Sequence, residues 1–146
     1  MNRTLTALTV AATMFANNAA AFDPDDLQKL KDTGNCVKCD LSGAFLRSIN
    51  LKGANLEGTD LKNADLEGAD LIKASLKGTN LEFGNLWDAN LEGANLEGAI
   101  LWYAWLLSSN LEGANLKGAD LVGARMHGAI FCNTIMPDGS IDNSGC

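Results

Sequence analysis

The side chains able to do chemistry beyond surface charge are few: four cysteines, one histidine and a short aromatic run. Cys36 and Cys39 form the stretch "CVKC", whose spacing suits a redox pair or half of a metal site. A reactive thiol of that kind needs a helix N-terminus to lower its pKa, whereas Cys36 follows Gly34, where a helix signature ends. A structural bridge is the expected state, with a thiol redox protein using Cys36 and Cys39 as the alternative; a reduction potential below about −300 mV excludes that alternative. His127 has no second histidine beside it, so neither acid–base work nor metal ligation is expected of it. The carboxylates are spread evenly and form no paired constellation. No catalytic residue, cofactor site or metal site is expected, and the protein is read as a non-enzyme.

The aromatic segment "ILWYAWLL" is of another kind, because it interrupts a regular phrase that resumes in register on its far side, "NLEGANLEGA" before it and "NLEGANLKGADL" after it. Every fifth residue from Leu41 to Met136 is large and apolar: leucine as far as Leu121, then Met126, Phe131 and Met136. Two residues before each stands a second column, nearly all small, from Cys39 and Ala44 to Ala129 and Thr134. Helices repeat near 3.6 residues and strands at 2. A strict five must therefore change direction once per unit, with the small residue and the leucine inward on a short extended segment and a corner after them. The corner slot holds glycine at most units and Asn63, Asp88, Asn133 or Asp138 at others, types that accept positive φ. Ser48, Lys73, Phe83, Tyr103 and Ser108 do not fit, and another turn type is expected there.

The units "ADLEG", "ANLEG", "ANLKG" and "ADLVG" resemble those of the pentapeptide-repeat family, over residues 39 to 138. The resemblance implies an all-β solenoid, a right-handed quadrilateral β-helix with four units per coil and about five coils. Charges alternate down the twenty-residue column Glu57, Lys77, Glu97 and Lys117, as a stacked ladder would place them. In that frame Phe83 lies under Tyr103, Trp87 under Leu107 and Trp105 under Arg125, where a cation–π contact can form. With Ile100 and Trp102, these outward residues make an apolar patch across two faces, and tryptophan and tyrosine are typical interface anchors. Phe83, Trp87, Ile100, Trp102, Tyr103, Trp105 and Leu107 are the candidate partner-binding residues, facing a protein partner, a second copy of the chain or a folded-back tail. In the same frame Cys39 and Cys132 fall about four coil spacings of ~4.8 Å apart, beyond disulfide reach. The expected bridges are Cys36 with Cys39 and Cys132 with Cys146, and a four-cysteine zinc site is excluded.

Both ends carry signals. Residues 1–21, "MNRTLTALTVAATMFANNAAA", read as a cleaved signal peptide with a basic start, an apolar stretch and small residues before the cut. Residues 22–38 hold a short N-terminal capping helix, with Asp23 as N-cap, Pro24 first in the helix, Leu27 and Leu30 facing the first coil and Gly34 as the stop, followed by the CxxC segment. Residues 39–138 form the repeat body and 139–146 a C-terminal tail. A signal and paired cysteines place the protein in an exported compartment, whether periplasm, thylakoid lumen or the extracellular space, with no membrane span after cleavage. The net charge of −7 argues against nucleic acid and anionic lipid as partners. An acidic rod of this family can also act as a DNA mimic on DNA gyrase, the second alternative, though export would separate it from a cytoplasmic enzyme.

Overall fold

The computed structural model describes residues 22–146, so the signal-peptide reading of 1–21 lies outside the described residues. Helix α1, Pro24–Thr33, begins where Asp23 accepts hydrogen bonds from the N–H groups of Asp25 and Asp26. It ends at Gly34, whose left-handed backbone (φ 69°) lets its N–H reach the Leu30 carbonyl. Leu30 is buried and Leu27 packs half-buried against the first coil.

Beyond α1 the chain advances by twenty residues per layer. Parallel bridges join residue to residue from Asp40↔Asp60 and Phe45↔Asp65 through to Asn115↔Ile135. Each five-residue unit makes the same bonds: Leu81 N–H donates to the Ile100 carbonyl (2.7 Å), Phe83 N–H to the Trp102 carbonyl (2.8 Å) and Asn85 N–H back to the Ala64 carbonyl (2.9 Å). A turn closes within the unit, as where Ala89 N–H meets the Leu86 carbonyl at 3.0 Å. Four such units fill one twenty-residue layer, which agrees with the spacing that the family resemblance implies.

The leucine column from Leu41 to Leu116 and most of the alanines beside it are buried. Thr59, Thr79, Ser109 and Thr134 enter the small column without leaving a polar atom orphaned. Thr79 Oγ1 donates to the Leu56 carbonyl (3.0 Å), Thr134 Oγ1 to that of Leu111 (2.7 Å), Ser109 Oγ to that of Leu106 (2.8 Å), and Thr59 to that of Cys36. The outward residue before each leucine also has a structural task. As asparagine or aspartate it accepts the N–H two residues on, as Asn90 does from Glu92 and Asn110 from Glu112, at 3.1 and 3.0 Å.

Two expectations need correction. Ser48, Lys73, Phe83, Tyr103 and Ser108 do not use another turn: their φ values lie between 53° and 56°, in the left-handed region with the glycines. The bonds between layers leave no choice, since the N–H of each must meet the carbonyl nineteen residues on. The cost is about 1–2 kcal/mol for each residue with a Cβ. At the last corner the positive φ moves from Asp138 to Gly139.

The ends differ. In the final layer Leu121, Met126, Phe131 and Met136 are only half-buried. The tail folds back as β1, Thr134–Ile135, antiparallel to β2, Ile141–Asp142. It brings Gly145 N–H to the Phe131 carbonyl (2.6 Å) and leaves Ile141 exposed. Asp138 and Asp142, bonded to Ser140 and Ser144, have pKa values held below the ordinary aspartate range. The tail therefore pairs with residues 131–135 of the last layer, and the patch residues stay exposed.

Candidate interaction surface

The patch is assembled by the twenty-residue register. Phe83 and Tyr103 occupy one corner in successive layers, and their rings stack with centroids 5.3 Å apart and planes 9° from parallel. Across the adjoining face, the Arg125 guanidinium sits over the Trp105 ring at 5.6 Å. Trp87, Trp102, Trp105 and Tyr103 are each 41–50% exposed, Ile100 is also exposed, and Leu107, one layer beyond Trp87, is half-buried. Of the seven residues named from the sequence, six are exposed, and Phe83 and Tyr103 are in direct contact.

Two further members were not singled out from the sequence. Val122, one layer beyond Trp102, is 58% exposed and extends the apolar area. Gly123 lies against the Tyr103 ring so closely that a Cβ there would fall 2.4 Å from Tyr103 Cδ1. Both stand in the patch's own columns, twenty residues past Trp102 and Tyr103, and that spacing was the signal available. Phe45 shares the Trp105 column and is 83% exposed, but Asp65 and Asn85 separate it from the patch.

The patch shares two departures from the common unit with other parts of the framework. Ile100 and Trp105 stand where asparagine or aspartate accepts a turn N–H, and neither side chain has an acceptor to offer Trp102 or Leu107. Phe83 and Tyr103 place large side chains in the left-handed region.

The remaining candidates fall as follows. Cys36 and Cys39 are joined, as are Cys132 and Cys146, with Cα atoms 5.4 and 4.9 Å apart. Cys36 and Cys39 are buried, and Cys36 Sγ lies 3.3 Å from the Asp26 carbonyl on the first turn of α1. The N–H groups of Asp25 and Asp26 on that turn are taken by Asp23 and do not point to the sulfur. His127 is exposed. Among the carboxylates, Asp65 and Glu67 hold Arg47 at 2.5 and 3.3 Å, which raises the arginine pKa chiefly through the Asp65 hydrogen bond. Down the Glu57 column, Lys77 pairs with Glu97 at 3.3 Å, while Glu57 instead accepts from Ser75.

The sequence model of a family described as Pentapeptide repeats matches residues 35–71, 74–106 and 108–138, in eight copies. No curated protein matches the chain. Among solved structures, HetL of Nostoc sp. strain PCC 7120, a pentapeptide repeat protein involved in heterocyst differentiation regulation, is 32% identical at a TM-score of 0.54. That match covers 74% of this chain and 64% of HetL, so this chain spans less than two thirds of its relative. AT2G44920, a pentapeptide repeat protein of the Arabidopsis thaliana thylakoid lumen, is 26% identical with TM-score 0.66, over 77% of this chain and 83% of that one. Rfr23 of Cyanothece 51142 is 31% identical with TM-score 0.50, over 77% and 97%.

Proposed function

This chain belongs to the pentapeptide-repeat family, and from that premise we propose that it is an exported, non-enzymatic scaffold that binds a protein partner through the aromatic patch. The fold in this reading is the family's right-handed quadrilateral β-helix. One observation carries the functional part: Phe83, Trp87, Ile100, Trp102, Tyr103 and Trp105 are all exposed, within two successive layers. An exposed apolar patch of this kind supports an interaction surface. Rigid aromatic anchors on a stiff rod lose little entropy on binding, which suits a protein interface. Two bridged cysteine pairs and a thylakoid-lumen neighbour of the same fold support an oxidising compartment such as a periplasm, a lumen or the medium. The gyrase-directed DNA mimic is the alternative reading, and export would separate such a mimic from a cytoplasmic enzyme.

The test is cross-linked capture by the mature protein from an envelope fraction, beside a Trp87→Ala/Trp102→Ala variant. A partner held by the parent and lost by the variant is the expected result. Identical captures, or the bait alone in both, remove the patch from the account.

A further inference from the structure

We infer that Asp26, Cys36 and Cys39 form a divalent-metal site of zinc type when the chain is reduced, and that the disulfide takes its place on oxidation. A carboxylate oxygen of Asp26 and the two sulfurs lie within 4.8 Å of one another. Zinc takes thiolate sulfur at ~2.3 Å and carboxylate oxygen at ~2.0–2.2 Å, so shifts on the order of an ångström close a three-ligand site with a fourth position for water.

The ligands are fixed by backbone that does not depend on the disulfide. Cys36 N–H and Lys38 N–H donate to the Asn55 and Glu57 carbonyls, each at 2.8 Å, which holds the CxxC loop on the first coil. Asp26 Oδ2 accepts the Asp40 N–H at 2.8 Å, and Asp23 N–H donates to the Asp40 carbonyl at 3.0 Å, which holds α1 over that loop. The sequence showed metal spacing in "CVKC" and excluded the distant cysteines as further ligands. The third ligand comes from ten residues upstream, brought back by the helix.

The chemistry balances. A dithiol reductant gives two electrons and two protons to the Cys36–Cys39 bond and becomes a disulfide itself. The cation then displaces both thiol protons. The cysteines are 0% and 4% exposed and lie beside the Asp26 carboxyl, so the three ligand groups face one another. A doubly charged cation is the species that satisfies all three.

The experiment uses the described chain with Cys132→Ser/Cys146→Ser, so that one cysteine pair remains, and also the parent. Each is reduced with a phosphine and titrated with cobalt(II), then with zinc(II). The expected result is one cobalt per chain with thiolate charge-transfer and tetrahedral ligand-field bands, displaced by zinc. Asp26→Asn keeps an acceptor for the Asp40 N–H, and should weaken binding by at least about tenfold with an unchanged unfolding curve. X-ray absorption on the zinc form should find two sulfurs and at least one oxygen. Three outcomes overturn the site: no stoichiometric cobalt in either reduced chain, equal affinity in Asp26→Asn, or equal binding by the oxidised parent.

Discussion

One face of the stack carries two surfaces on one backbone. In its lower layers Arg47, Asp65, Glu67 and Asn85 form a hydrogen-bonded polar ladder, with Asn85 Nδ2 reaching Asp65 at 3.1 Å and Glu67 at 3.2 Å. In the layers above, the equivalent slots hold Trp87, Trp105 and Leu107. The framework barely registers the change: Leu46 N–H meets the Asp65 carbonyl at 2.7 Å, and Leu86 N–H meets the Trp105 carbonyl at 2.8 Å. Inward positions therefore define the rod, while outward positions are free to report on what it meets.

That division is broken most severely from the inside. Leu91→Ala should cost about 2–5 kcal/mol through lost burial and a cavity. Trp102→Ala, at a side chain 41% exposed, should change stability by no more than about 1 kcal/mol. Denaturant unfolding of both variants measures the gap, and equal losses would mean that the patch belongs to the core. The next largest effect belongs to the open end. Cys132→Ser/Cys146→Ser removes a loop-closing bridge and should cost about 3 kcal/mol, with hydrogen exchange rising first in the half-buried last layer.

The smallest effect sharpens the comparison at the corners. Ser108→Gly relieves a left-handed residue with little to lose and should stabilise by about 1 kcal/mol. Tyr103→Gly should gain less, because it also forfeits the Phe83 stack, worth about 0.5–1.5 kcal/mol. Thermal unfolding of the pair isolates that difference.

Much of this was legible because the leucine column enforces a register of five and the family resemblance implies four units per coil, after which any residue can be placed by counting. Leu30, the two bridges, the Phe83–Tyr103 stack and the Arg125–Trp105 contact all followed. What escaped depends on cooperation between layers or on chain outside the register. Phe83 and Ser108 contradict local turn preference because bonds from the next layer override it. The exposure of Leu121 and Met126 depends on where a non-repeating tail lands, and Asp26 reaches the cysteines only through the path of α1. Val122 and Gly123 could have been found by the same counting that found Trp102 and Tyr103.

All three tryptophans of the chain lie in the patch, so intrinsic fluorescence reports on that surface alone. The measurement that tests the central claim most directly is acrylamide quenching of that fluorescence in the dilute protein, the neutral quencher avoiding repulsion by the chain's negative charge. An open patch awaiting a partner predicts a single, fully accessible population. A shielded fraction that persists on dilution would contradict it, because the chain itself would then cover the surface.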